Sequence, residues 1–243
     1  MTVRRFFSEN IDSAASAAVL DADEAHHARD VLRLKPGDSI HIFDGKGREY
    51  AGILTHLAKN KAEVSGLTEA APPAPESGIA LTLGSVVIPG DKYDLIVQKA
   101  VELGVRTIVP LSSVRCELKR KDIEKKLVRW RRIALDAAKQ CGRARLMQVG
   151  EPLDVKGFID LYAGKADASI FFSERDGGKL AVDRSPHSIT AVVGPKGGWD
   201  DSEIEAARAA DFEAVTFGGR IMRAETAVIA LSAILQHRFG DIN

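Results

Sequence analysis

The 243-residue chain carries only two cysteines, Cys116 and Cys141, no C-x-x-C pair, and no excess of either charge, since 34 Lys and Arg match 34 Asp and Glu. Two cysteines so far apart give neither a disulfide framework nor the ligand spacing of a zinc site, which points to a reducing, cytoplasmic setting. No apolar run approaches the roughly 18 to 20 residues that a membrane helix requires. The opening Met1-Thr2-Val3-Arg4-Arg5-Phe6-Phe7-Ser8-Glu9 lacks the apolar stretch of a signal peptide, so we expect a protein neither exported nor anchored. The G-x-x-x-x-G-K-[ST] and G-x-G-x-x-G patterns are missing too, which removes support for nucleoside triphosphate or NAD chemistry. His26 and His27 stand without an accompanying carboxylate and histidine cluster, so they read as a turn or helix-start feature and no metal is expected.

What is present is an ordinary globular composition, 45% hydrophobic and 28% charged. A chain of this length buries a real core without staples. The zero balance conceals an asymmetry: residues 112–149 hold 12 Lys or Arg against 4 Asp or Glu, whereas residues 190–243 hold 5 against 8. A basic segment of this kind fits a polyanion. It equally fits a solvated face.

Pro72, Pro73 and Pro75 disfavour both helix and central strand, which places a linker at 71–77 between a domain at 1–70 and another at 78–243. Before it, Ser39-Ile40-His41-Ile42-Phe43 and Tyr50-Ala51-Gly52-Ile53-Leu54 read as strands separated by turn signals, with one helix near 22–33. After it, the pattern predicts strands at 79–87, 105–110, 168–172, 189–193 and 213–217 and helices at 91–103, 202–210 and 225–238. That alternation implies an α/β class with a mainly parallel sheet. Ile123, Leu127, Trp130, Ala134, Ala137 and Cys141 share one face of a basic helix, while Lys121, Lys125, Lys126, Arg129 and Arg132 lie largely off it.

Three stretches are candidates for chemistry. Val192-Val193-Gly194-Pro195-Lys196-Gly197-Gly198-Trp199 leads from a strand through glycines towards a helix that Ser202 and Glu205, at capping-box spacing, predict to start there. Its backbone suits close approach to a ligand, and it suits a plain tight turn as well. Val215 to Ala227 repeats the strand, glycine break and helix, and sets Arg220, Arg223 and Glu225 at a helix start where arginine opposes the macrodipole. These form either a surface Arg-Glu pair or a grip on a polyanion. Asp136 to Arg145 ends the basic helix with Arg143 and Arg145, again either solvated or bound to phosphate.

Taken together, Gly194 to Trp199, Phe217 to Ala227 and Lys139 to Arg143 resemble the G-P-E-G-G-aromatic, L-G-x-R-I-L-R-x-E-T-A and E-Q-x-x-R motifs of the RsmE-type methyltransferases, members of the SPOUT superfamily. Glu102-Leu103-Gly104-Val105, His26 to Arg33 and Arg4-Arg5-Phe6-Phe7 extend the resemblance over nearly the whole chain. Lys196 departs from the usual Glu, Phe217 and Met222 from Leu, and Lys139 from a common Glu.

The resemblance implies an N-terminal PUA-like β-barrel that helps bind RNA and a C-terminal SPOUT domain with a trefoil knot. It implies an S-adenosylmethionine-dependent enzyme that methylates N3 of a uridine in 16S ribosomal RNA of the small subunit, acting as a homodimer. Three loops then hold S-adenosyl-L-methionine: Phe172, Ser173 and Glu174; Gly194, Pro195, Gly197 and Gly198; and Phe217, Gly218, Arg220, Ile221 and Met222 with Thr226 and Ala227. Arg223 stabilises charge on the uracil or a phosphate, Glu225 acts as base or orients Arg223, and Arg220 is the alternate. Arg4, Arg5, Arg29, Arg33, Arg143 and Arg145 are the expected RNA contacts. Alternatives are a superfamily enzyme acting on another RNA position, and a non-catalytic RNA-binding or ribosome-assembly protein, which Lys196 encourages.

Overall fold

A computed structural model of the chain describes residues 4–116, 118–174, 177–182, 185–195, 197–217 and 220–242. The chain divides into two compact units, one of residues 1–76 with Ala138–Leu146 and one of Ser77–Ala137 with residues 147–243. Assignment of Ala138–Leu146 to the first unit departs from the simple division at a linker. Its cause lies in side-chain anchors described below.

In the first unit, β1 (Arg5–Phe7), β2 (Asn10–Asp12), β3 (Ala17–Leu20), β4 (Ser39–Phe43), β5 (Glu49–Leu57) and β6 (Ala62–Ala70) form one sheet in the order β1-β4-β5-β6-β3-β2. The β1–β4 pairing is parallel and the others are antiparallel. Alternation places Ile40 and Ile42 in the core with Phe6, Leu20, Leu54 and Val64. Two register shifts between β5 and β6 bend the sheet, and at Gly52 a Cβ would lie 2.7 Å from Leu67. The predicted helix near 22–33 divides in two: α1 (Ala22–His26) is capped by the Asp21 carboxylate, and His27–Val31 continues as a π-helical turn.

The second unit contains β7 (Ala80–Val86), α2 (Lys92–Glu102), β8 (Thr107–Ser112), α3 (Arg120–Glu124), α4 (Leu127–Cys141), β9 (Gln148–Val149), β10 (Leu153–Asp154) and α5 (Val155–Tyr162). There follow β11 (Ala168–Phe172), β12 (Ser188–Val193), α6 (Asp201–Ala209), β13 (Glu213–Val215) and α7 (Ala224–Phe239). The last turn of α4 counts with the first unit. The sheet order is β10-β8-β7-β12-β11-β13 with β9 beside β8, and every pairing described is parallel. Its strands are near-continuous apolar runs, as a sheet covered on both faces requires. Among the described residues no helix is long and apolar enough to cross a membrane, and no cluster of three potential metal ligands occurs.

The predicted basic helix is interrupted at Lys125 and Lys126, between α3 and α4; of its expected apolar face Ile123, Leu127, Trp130, Ala134 and Ala137 are buried and Cys141 is half-buried. Trp130 donates from Nε1 to Asp94 Oδ1 at 2.9 Å and packs on Tyr93 with ring centroids 4.5 Å apart, fixing α2 against α4. Much of the local positive excess meets acids. Arg129 pairs with Asp94, Arg131 with Glu151 and Lys125 with Asp122. Exposed pairs of this kind add little stability, but they reduce the field left for a polyanion.

Candidate functional site

Parallel strands bring their carboxyl ends to one edge, and the loops after β11, β12 and β13 meet there. The loop after β12 is shaped by Trp199. Its indole Nε1 donates to the Phe172 carbonyl at the end of β11, at 2.8 Å, and its ring lies 4.4 Å from that of Phe171. This fold-back passes directly beneath Gly194, where a Cβ would sit 2.6 Å from Trp199 Cε2. Gly198 adopts φ +73°, a left-handed conformation open to glycine. A Gly194→Ala variant is expected to displace Trp199 at an overpacking cost of about 1–3 kcal/mol. Because Gly194 and Trp199 both line the cleft described below, ligand affinity is expected to drop about tenfold, read by calorimetric titration.

The loops after β11 and β13 are laced together. Thr216 Oγ1 donates to Ser173 O at 2.7 Å and accepts from Gly177 N at 2.9 Å, while Ser173 N donates to Val215 O at 3.0 Å. A Cβ on Gly177 would lie 2.3 Å from the Val215 carbonyl carbon, so only glycine permits this crossing.

The cap of the helix after the glycine loop lies two residues earlier than expected. Asp200, not Ser202, is the N-cap of α6, and Glu203, not Glu205, completes the capping box. Ser202 instead donates from Oγ to the Asp200 carboxylate at 2.7 Å, and that bond lowers the Asp200 pKa. Glu203 is buried and also accepts from Val114 N at 3.0 Å, which ties the 113–116 turn to the glycine loop. Arg115 completes the tie with Nη1 3.5 Å from Gly197 O and Nη2 3.8 Å from the Asp200 carboxylate. Replacing Glu203 with Ala leaves the Val114 and Asp200 amides without this acceptor, so urea denaturation should show a loss of about 1–3 kcal/mol.

The three loops enclose a cavity of about 280 Å³. Of the predicted cofactor residues, Phe172, Glu174, Gly194, Pro195, Gly198, Phe217, Arg220, Ile221, Met222 and Ala227 line it. Ser173 is buried in the lacing, Thr226 is exposed on the first turn of α7, and Gly197 lines an adjoining cavity. Gly218 lies outside the described residues, as does Lys196. Val193, Trp199 and Ala224 also line the cleft, together with Arg223. Trp199 was legible only as the aromatic of a motif; its role as a brace depends on the Phe172 carbonyl.

A second cavity, of about 720 Å³, shares Pro195, Arg223 and Ala224 with the first. Arg223 is the N-cap of α7 and gives its carbonyl to Ala227 N at 2.8 Å. Glu225 lies in the first turn with its carboxylate 3.4 Å from Lys92 Nζ. A hydrogen bond from its own backbone amide lowers the Glu225 pKa, and Lys92 and Arg223 add to the effect. That makes it a weak base at neutral pH and favours orientation of a cation over proton abstraction.

The predicted RNA contacts divide. Arg5 and Arg143 are buried, and their guanidinium groups are engaged inside the first unit, which corrects their assignment as phosphate contacts. Arg5 donates to both oxygens of the buried Glu49, the shortest bond being 2.6 Å, and caps the end of α4 through Ala138 O, Lys139 O and Arg143 O. Arg143 pairs with Glu76 at 2.8 Å, and Lys139 with Glu24 at 2.8 Å. These bonds explain why Ala138–Leu146 belongs to the first unit. Arg4 and Arg33 are exposed, Arg4 lying 3.6 Å from Asp38, while Arg29 pairs with Asp30 at 2.6 Å and Arg145 is half-buried.

A cleft lined by loops from neighbouring parallel strands defines the class: an α/β enzyme domain that holds a small organic ligand at its strand ends, joined to a β-rich unit. Residues 75–236 match the RNA methyltransferase domain family and residues 20–65 the RNA methyltransferase PUA domain. The chain belongs to this RNA methyltransferase family. It is similar to the ribosomal RNA small subunit methyltransferase E of Synechocystis, with 33% identity over 225 residues covering 90% of this chain and 73% of that protein. The protein of the same name from Bacillus subtilis is 31% identical over 250 residues, covering 96% of each. The crystal structure of ribosomal RNA small subunit methyltransferase E from Neisseria gonorrhoeae, bound to S-adenosyl methionine, superposes with a TM-score of 0.90 at 34% identity, covering 100% of both chains.

Proposed function

We propose that the protein is an S-adenosylmethionine-dependent methyltransferase that modifies N3 of a uridine in 16S ribosomal RNA of the small subunit. The observation that carries this reading is the three-loop cleft, built from residues of the motifs that mark the family. Its walls suit the cofactor. Phe172, Pro195, Trp199 and Met222 offer apolar surface for a purine and the methylene groups beside the sulfonium, while Glu174 and Arg220 offer an acceptor and a donor for its hydroxyl, ammonium and carboxylate groups. When bound, the cofactor supplies an electrophilic methyl group on a sulfonium.

The protein's own residues then have two tasks, orientation and help with removing the N3 proton. Pro195 and Ala224 form a shared wall between the two cavities, and Arg223 faces both, positioned to stabilise negative charge on a uracil oxygen or a neighbouring phosphate. Glu225 holds cations in place. N3 lies inside a Watson-Crick pair, so the target uridine must be unpaired or turned out of its stack. RNA contact falls to Arg4, Arg29, Arg33 and Arg145, with the exposed face of α3 and α4 adding longer-range attraction. The resemblance further supports a trefoil-knotted SPOUT domain and a working homodimer, and the free thiols of Cys116 and Cys141 support a cytoplasmic setting.

The test is transfer of labelled methyl from S-adenosylmethionine to isolated ribosomal subunits lacking the modification. Label is expected in small-subunit RNA. Label confined to large-subunit RNA, or cofactor binding with no transfer to either, contradicts the reading.

A further inference from the structure

We propose that the second cavity receives the target base and that Lys92 is a catalytic residue, its ammonium stabilising the uracil anion formed when N3 loses its proton. The inference rests on the methyltransferase reading above. It starts from the wall the two cavities share: a group leaving the cofactor cleft past Pro195 and Ala224 reaches the second cavity directly. That cavity, about 720 Å³, accommodates a nucleoside, and it is the roomier of the two, the first being about 280 Å³.

Charge selects the chemistry. Lys92, Arg115 and Arg223 line the second cavity with Glu225 as the facing carboxylate, so the described lining is net positive and favours an anion. Asp200 draws on Arg115 from 3.8 Å, and Asp91, next in sequence to Lys92, lies 3.9 Å from Arg129. Cys116 is the remaining titratable group of the lining, and its thiol is bonded to Val87 O at 3.3 Å.

Lys92 is the first residue of α2, where a cation opposes the helix dipole. Local structure gains nothing from it there, yet Glu225 holds its ammonium at the cavity with a 3.4 Å contact, and Trp130 and Arg129 hold the helix through Asp94. In the step assigned to it, the N3–H bond breaks, the electron pair stays on nitrogen and spreads to the two uracil oxygens, and the proton passes to water. A cation within bonding distance of those oxygens lowers the N3 pKa, so more anion is present at neutral pH.

The test compares wild type, Lys92→Ala and Lys92→Arg at saturating small subunits lacking the modification, measuring kcat across pH, which reports ionisations in the bound complex. Removing Lys92 should move the rising limb upward by about one pH unit, equivalent to about a tenfold loss at pH 7, and Arg should restore most of it. Cofactor affinity, by calorimetry, should stay within about twofold in all three, because Lys92 is outside the first cavity. In a Cys141→Ser background, bound subunits should slow alkylation of Cys116 in the wild-type cavity. An unshifted profile in Lys92→Ala, an Arg variant as impaired as Ala, or a large loss of cofactor affinity each overturns the role given to Lys92, and alkylation of Cys116 unaffected by subunits overturns the placing of the base in the second cavity. If wild type transfers no methyl to uridine N3, the functional reading falls and Lys92 with it; transfer by wild type with an unshifted variant removes Lys92 alone.

Discussion

Replacing Arg5 with Ala is expected to destabilise the protein by about 3–5 kcal/mol in urea denaturation, because it strands a buried carboxylate. Arg5 and Glu49 have side-chain exposures of 6% and 0%. Without the guanidinium, Glu49 keeps His41 Nδ1 at 2.8 Å, while Ala138 O, Lys139 O and Arg143 O lose their donor. Lysine supplies a charge but not the planar fork that reaches four partners, so Arg5→Lys should recover only part of the loss. Changing Arg5 and Glu49 together to Met removes both charges and should cost less than Arg5→Ala alone. An Arg5→Ala protein of unchanged stability, with a flatter salt dependence of RNA binding, would return Arg5 to the role of phosphate contact.

Replacing Arg223 with Ala should lower turnover by about a hundredfold to a thousandfold, the range found when a preorganised donor to developing charge is removed. Arg223 borders both cavities, and its backbone, with φ −64° and ψ 152°, is an extended N-cap that any residue adopts. Its side chain makes no cap hydrogen bond, so truncation leaves α7 intact. Cofactor affinity should therefore stay within about threefold, separating loss of chemistry from loss of binding. Turnover within a few-fold of wild type would transfer the role to Arg220.

How far such features were legible in the sequence depends on the distance over which their causes act. The apolar face of α4 and the strands that end at Phe172 and Val193 follow from periodicity and glycine breaks, which are local, whereas the strand expected over 213–217 stops at Val215. The start of α6 was legible only to within two residues, because Asp200 and Ser202 are both good caps and the choice between them depends on Val114, 89 residues away from Glu203. The fate of Arg5 and Arg143 was not legible at all. Their acidic partners lie 44 and 67 residues away, and a buried pair and an exposed phosphate contact look alike in one dimension. Lys92 carried a faint local signal, a cation at a helix start, but its cavity is assembled from the ends of β7, β8 and β12 and the start of α7.

Digestion of the methylated small-subunit RNA to nucleosides, with separation of N3-methyluridine from ribose 2′-O-methyl and other base-methylated products, tests the account most directly. It predicts that the label migrates as N3-methyluridine and is lost with Arg223→Ala. Label in a 2′-O-methyl nucleoside or on another base would contradict it.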